Sequence, residues 1–514
     1  MKMVKSLLLG SAAGLVAVAG AQAADMPVKA KPVEYVKVCS LYGEGFFYVP
    51  GTDTCLKLGG YLRVQVESGA GNGGIVTGSA QMGPQGRFTR DLTNDINYRV
   101  RAALSWDVRT QTEYGTLRTY IRAGWAVQTP PDTGGGTTPS TFWDRAFMQF
   151  AGFTVGRAQS FFDIYTFGGA QTFLNVRTSG DTGASGQNLW AYTAQFGNGF
   201  SGTLSLEDPA TRKFSVTDLS TAGFFPINAA AAADNAFTVN TGGAGFRVPD
   251  VVANLRVDQA WGYASVTGAL HDVSGAYYNT AVGFGCPAGN CVNNGHPPDK
   301  YGWAAAVGAL INMDFISRGD KFGFQATVGE GAVGFVTNSS WWQIYNNSNR
   351  VAIAYATDGV FAQNSTVELT RAWNFNAGYE HVWDAKWRTT WYGGYVKVDY
   401  NDTATARINA NVTGCGGAGA GIALITPLAG NSCNPDYSFY QIGQRTLWNP
   451  VRNLDIGLDV VYTKLRSAYA GPANLVANGS RPACANALPG NGGCAVEDES
   501  VWSAMFRWQR NFYP

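Results

Sequence analysis

Between residues 97 and 109 the even positions Tyr98, Val100, Ala102, Leu104, Trp106 and Val108 are apolar or small, and the odd positions include Arg99, Arg101, Ser105, Asp107 and Arg109. After the segment TQTEYG the order returns with the other parity: Leu117, Thr119, Ile121, Ala123, Trp125 and Val127 alternate with Arg118, Tyr120 and Arg122. Successive side chains of a strand point to opposite faces, so the pair reads as a β-hairpin with one oily and one cationic face. Period-two runs recur at 56–68, 143–151, 153–158, 187–197, 199–207, 251–260, 262–272, 301–314, 321–331, 371–383, 386–399, 437–448, 452–464 and 500–512, which brings the strands to sixteen.

The connections between these runs alternate in length. Long ones cover about 69–94, 128–142, 159–186, 208–250, 273–300, 332–370, 400–436 and 465–499; short ones include TQTEYG, GNG, ISRGD, WDAK and NPV. A meander with long loops on one rim and tight turns on the other predicts an all-β fold, a 16-stranded antiparallel transmembrane β-barrel with long extracellular loops and short periplasmic turns. A soluble β-sandwich or lectin would share the alternation but not the asymmetry of loop length. Beyond the amino terminus no apolar run is long enough for a membrane-spanning helix.

Energy decides which face of the hairpin meets lipid. An arginine on the lipid face near the midplane costs about 2–4 kcal/mol, so the arginines point into the lumen. The same parity turns Arg63, Gln65 and Glu67 inward, and Arg145 and Gln149 with them. Arg63, Arg99, Arg101, Arg109, Arg118, Arg122 and Arg145 then form a cationic wall, with Glu67 and Asp107 as its acids. Phe375, Tyr379, Trp383, Trp502, Phe506 and Trp508 share the apolar face and read as lipid-facing or girdle aromatics rather than a sugar slide. The third long connection, 159–186, is too aromatic for a solvated loop. It is expected to fold into the lumen and narrow it, placing Asp163 or Asp181 across from the arginines, so that a transverse field acts on passing solutes.

The first residues carry Lys2 and Lys5, an apolar run and Ala21-Gln22-Ala23, the order of a cleaved signal peptide over 1–23. Without those lysines the chain has 35 basic and 36 acidic residues, a balance that argues against a nucleic-acid partner. The eight cysteines fall in four near neighbours, Cys39 with Cys55, Cys286 with Cys291, Cys415 with Cys433, and Cys484 with Cys494. Export permits disulfides, and nearest-neighbour closure would staple local segments: 24–55 before the barrel, and three of the long loops. Zinc is the rival, disfavoured because there is no C-x-x-C and His271, His296 and His381 stand alone. No metal, cofactor or catalytic constellation is expected: G-x-S-x-G, H-E-x-x-H, P-loop and EF-hand patterns are absent, and Asp455 and Asp459 read as pore lining.

Three stretches resemble the trimeric general porins of alphaproteobacterial outer membranes: KPVEYVKVCSLYGEGFFYVPGTDTCLKLGGYLRV near the amino terminus, FAGFTVGRAQSFFDIY before the third loop, and MFRWQRNF at the end. The resemblance implies a sixteen-stranded trimeric barrel over 56–512, a constriction loop at 159–186, and passive diffusion of small hydrophilic solutes and ions. It implies as partners outer-membrane lipid and lipopolysaccharide, two further copies of the chain, and the barrel-insertion machinery. It makes Arg101 and Arg157 basic-wall positions, although Arg157 shares parity with Val155 and needs a kink to reach the lumen. The chain departs from the family's aromatic ending, since Tyr513 and Pro514 follow Phe512. A substrate-specific channel, a surface adhesin and a barrel-embedded enzyme are the competing functions.

Overall fold

A computed structural model describes residues 38–512 apart from 69–95, 130–137, 166–171, 175, 177, 184, 220–242, 279–294, 339–340, 347–349, 413, 418–424 and 476–493. The signal segment 1–23, Tyr513 and Pro514, the cysteines 286, 291 and 484, and the side chain of Cys494 lie outside what it describes. Sixteen strands form the wall: β1 Thr54–Ser68, β2 Ile96–Thr112, β3 Gly115–Gln128, β4 Thr138–Phe150, β5 Phe153–Ala158, β6 Gln187–Gly197, β7 Phe200–Glu207 and β8 Asp250–Gln259. They continue as β9 Gly262–Asp272, β10 Tyr301–Asn312, β11 Lys321–Glu330, β12 Arg371–Val382, β13 Trp387–Asp399, β14 Tyr437–Trp448, β15 Leu454–Arg466 and β16 Glu499–Asn511.

Each strand pairs antiparallel with the next, and β16 pairs back onto β1 with Trp508 opposite Val64, so the sheet closes into a barrel without edges. At the seam the Phe512 N–H donates to the Gly60 carbonyl at 3.0 Å, and a Cβ on Gly60 would strike the Phe512 ring. The strand set agrees with the sixteen read from alternation. The turns are tighter than TQTEYG suggested, because β2 runs to Thr112 and β3 starts at Gly115. Between β6 and β7 the turn residues Asn198 and Gly199 both have positive φ, the handedness that matches strand twist in a two-residue hairpin loop.

The outer face is apolar as the parity required: Trp190, Leu255 and Trp502 are each about two-thirds exposed on the isolated chain. Before β1, Phe47–Tyr48 pairs with Cys55 and Leu56, and Cys39 is bonded to Cys55. Cys55 therefore lies inside β1, one residue before the start expected for that strand. The second described disulfide joins Cys415 to Cys433 in the loop between β13 and β14.

Inside the half of the barrel that bears the long loops lies an apolar body that alternation did not foretell. Val396 and Val398 of β13, Phe439 of β14 and Leu465 of β15 point inward and are fully buried. They are covered by Val351–Ala356, by Val333 and Val336, by Ala468 and Tyr469, and by Ile408 of the helix α1 Asp402–Asn409. The N-terminus of α1 is capped by Asn401, whose Oδ1 accepts from Ala404 N–H at 2.8 Å. Buried Asp358 ties these loops together, accepting from Val333 N–H at 2.9 Å and Phe214 N–H at 2.6 Å. Burial pushes its carboxyl above the usual carboxylate range, and His271 opposes that rise.

Candidate functional site

The register sets the inward side chains of β16, β1 and β2 in rows. Arg507, Gln65 and Arg99 lie abreast in one row, and Gln509, Arg63 and Arg101 in the next. Further along, Arg122 faces Arg145, and Arg118 lies between Arg109 and Gln149. The structure thus brings together the seven expected wall arginines, Arg63, Arg99, Arg101, Arg109, Arg118, Arg122 and Arg145.

These arginines fall into two electrostatic groups. Arg109 and Arg118 each grip Asp107 with two hydrogen bonds of 2.8–3.0 Å. Arg101 donates to both oxygens of Asp144 at 3.0 Å while its guanidinium lies over the Phe142 ring at 3.6 Å, and Arg122 approaches Asp144 at 3.3 Å. By contrast, among the described residues Arg63, Arg99 and Arg507 form no ion pair. Arg63 Nε donates to Gln509 Oε1 at 2.7 Å, and Arg507 Nη2 to Gln65 Oε1 at 3.2 Å and the Phe173 carbonyl at 3.1 Å. Asp107 and Asp144 each cancel only one of their two arginines, and the largest net positive charge of the wall sits at β16, β1 and the start of β2, where three arginines stand with Glu67 alone.

Asp144 was missed by alternation, which sends it to the lipid face with Ala146 and Met148. A bulge opposite Arg122 and Ala123 shifts the register so that Asp144 turns inward and Trp143, 61% exposed, turns out. The signal was present: Trp143 and Arg145 share parity in a regular strand, yet one suits lipid and the other water.

The third loop enters the lumen, and β7, β11 and β15 hold it at three places. Glu207 accepts from Ser160 Oγ at 2.6 Å and Phe161 N–H at 3.0 Å. Gln325 Oε1 takes the N–H groups of Ile164 and Tyr165, both at 3.1 Å. Asp459, fully buried, accepts from Thr172 Oγ1 at 2.7 Å, Phe173 and Leu174 N–H, and Tyr392 Oη at 2.6 Å. Missing side chains on the wall make room, because a Cβ on Gly323 would enter the Tyr165 ring and one on Gly457 would press on Phe173. The inward glycines of β11 and β15 are thus the sequence trace of the docked loop. Phe173 lies against Arg507 at 4.0 Å and Arg445 at 5.3 Å.

Of the loop acids, Asp163 reaches one arginine of the wall, sharing a hollow with Arg145. Asp163 is buried and bonded to Arg212 and Thr182. Asp181 is half-buried on the returning leg, its N–H donating to Ser179 Oγ at 3.2 Å. Arg157 is not on the inner wall. It keeps the outward parity of Val155, and its Nε donates to the carbonyls of Trp143 and Ser185 at 3.1 and 2.9 Å, beside Trp190 and Leu206 in an outer hollow. The kink it needed is absent, because β5 pairs regularly through Arg157 with Ala146 and Asn188. Among the described residues no cluster of His, Cys, Asp or Glu could hold a metal ion.

The model of a family described as the porin subfamily matches residues 25–487. Porin Omp2b of Brucella suis is 32% identical over 281 residues, 52% of this chain and 65% of that protein. Porin Omp2a of Brucella canis is 34% identical over 284 residues, again 52% and 65%. The aligned chain thus spans just under two thirds of these relatives. Among solved structures, the outer membrane channel DcaP of Acinetobacter baumannii superposes with a TM-score of 0.54 over 90% of this chain and 99% of that one, at 16% identity, a likeness of fold.

Proposed function

Because this chain belongs to the porin subfamily, a family of channels rather than enzymes, we propose that it is a general diffusion porin. Its barrel is one of the Gram-negative outer membrane. Small hydrophilic solutes and ions pass passively through the water-filled space between the β1–β4 wall and the third loop. The observation that carries this reading is the contrast within one closed barrel: apolar side chains outside, and inside a wall of arginines with a loop pinned across from it. Weak anion preference follows from Arg63, Arg99 and Arg507, which form no ion pair among the described residues and outnumber the neighbouring Glu67. By family likeness the working unit is a homotrimer in lipid and lipopolysaccharide, assembled by the barrel-insertion machinery.

Planar-bilayer recording of the purified protein tests this. Stepwise conductance in groups of three, linear in solute concentration and weakly anion-selective, is expected. Conductance that saturates and is blocked by one solute would instead mark a substrate-specific channel, and absence of conductance would remove both readings.

A further inference from the structure

We propose that Arg212, in the extracellular loop between β7 and β8, is a positioning residue that sets the width of the pore by fastening both legs of the third loop to the loops above it. The proposal rests on the diffusion reading and extends it: the barrel alone does not fix the aperture.

The backbone at Arg212 is held before its side chain acts. Asp208 Oδ1 accepts from Ala210 N–H at 3.0 Å, capping the single turn Pro209–Thr211, and Arg212 N–H closes onto the Pro209 carbonyl at 3.0 Å. Four residues on, Val216–Asp218 pairs in parallel with Gly359–Phe361, joining this loop to the one between β11 and β12. The two loops touch at Gly334, where a Cβ would overlap the Arg212 carbonyl oxygen.

The side chain reaches from this frame into the third loop and is 2% exposed. Its guanidinium lies against the Phe335 ring at 4.4 Å and the Phe162 ring at 5.5 Å. Nη2 donates to Asp163 Oδ1 at 2.5 Å on the outgoing leg, and Nη1 to the Gly180 carbonyl at 2.5 Å on the returning leg. Asp163 in turn takes Thr182 N–H at 2.8 Å with its other oxygen, so one arginine and one aspartate clamp the two legs together. A planar, fixed fork serves two acceptors at once, and a lysine ammonium on the same stem does not reproduce that geometry. The ties at Glu207, Gln325 and Asp459 come from barrel strands, whereas this one comes from the loop layer. Arg212 also neutralises Asp163, which shares a polar hollow of about 530 Å³ with Arg145, Asn254 and Arg256.

The test is bilayer recording of the full chain beside Arg212→Gln, Arg212→Lys and the double variant Arg212→Gln/Asp163→Asn, with heat-modifiable migration checking barrel closure. Conductance, current noise, exclusion of neutral polyethylene glycols and reversal potential are read together. Arg212→Gln is expected to conduct roughly 1.5-fold more, with more noise, to admit larger polymers and to move selectivity toward cations. The double variant should keep the wider aperture without the selectivity change, since it leaves no charge at either position. If Arg212→Gln does not close a barrel, Arg212→Lys decides, because it retains a charge for Asp163 and loses the second leg: more noise and a larger polymer limit are expected. A folded variant matching wild type in conductance, noise and polymer limit overturns the proposal alone. A wild type that forms no channel overturns the diffusion reading and this proposal with it.

Discussion

The inner faces of β1–β4 and of β13–β15 are built from the same alternating pattern and meet different surroundings. On the early strands the inward positions include Arg63, Arg99, Arg101, Arg118 and Arg122, all partly accessible. On the later strands the half that bears the long loops presents Val396, Val398, Phe439 and Leu465, all at zero exposure beneath folded loops. Alternation reports which residues leave the lipid. What they enter, water or a second core made by loops, depends on segments far along the chain.

The comparison is broken most forcefully by truncating the covered side. Phe439→Ala should cost about 3–5 kcal/mol of unfolding free energy by opening a cavity in the loop core. Arg99→Ser, on the open side, should cost less than about 1 kcal/mol. Denaturant unfolding of the refolded barrel distinguishes them, and equal losses would mean that the two faces are not different.

A smaller effect separates the two kinds of wall arginine. Asp144→Asn releases Arg101 and Arg122 from their acid and should raise the anion-to-cation permeability ratio, whereas Arg99→Ser should lower it. Each change should be roughly two- to five-fold, the equivalent of about 0.5–1 kcal/mol for one charge at a watery wall. Reversal potentials under a salt gradient read the sign directly. Both shifts should shrink as ionic strength rises from about 0.1 M toward 1 M, where the screening length falls from about 10 Å to about 3 Å. A selectivity change that survives high salt would point to a shape effect instead.

The smallest effect concerns the periplasmic turn before β11. Burial alone would raise the carboxyl of Asp320, but hydrogen bonds from Tyr379 Oη at 2.6 Å, Val382 N–H at 2.8 Å and His381 at 2.8 Å outweigh it and hold it below the ordinary aspartate range. A depressed carboxyl stabilises the fold above its unfolded value, near 3.9, and that contribution disappears as pH falls through the lower folded value. Barrel melting followed from pH 6 down to pH 2 should therefore show a decline at the acid end that Asp320→Asn lacks.

The strands were legible because lipid imposes the outer parity residue by residue. Gln187–Gly197 and Tyr437–Trp448 fall where the pattern placed them. The bulge at Asp144 was only half legible, through the shared parity of Trp143 and Arg145. The ion-pair partner of the third loop was not legible, because composition shows that a loop is oily without showing its partners: Asp163 meets Arg212, 49 residues away. Arg507 was overlooked although its inward parity between Phe506 and Trp508 was plain. Arg157 was read by resemblance as a wall residue, and parity, which pointed outward, was the better guide.

The most direct test of the account is the zero-current potential of the purified protein across a planar bilayer under a tenfold salt gradient, compared with Arg63→Ser/Arg99→Ser. The account predicts a conducting wild type with weak anion preference, and a variant that conducts equally well with that preference abolished or reversed. A conducting wild type whose potential is unchanged in the variant would contradict the claim that these arginines face the permeation path.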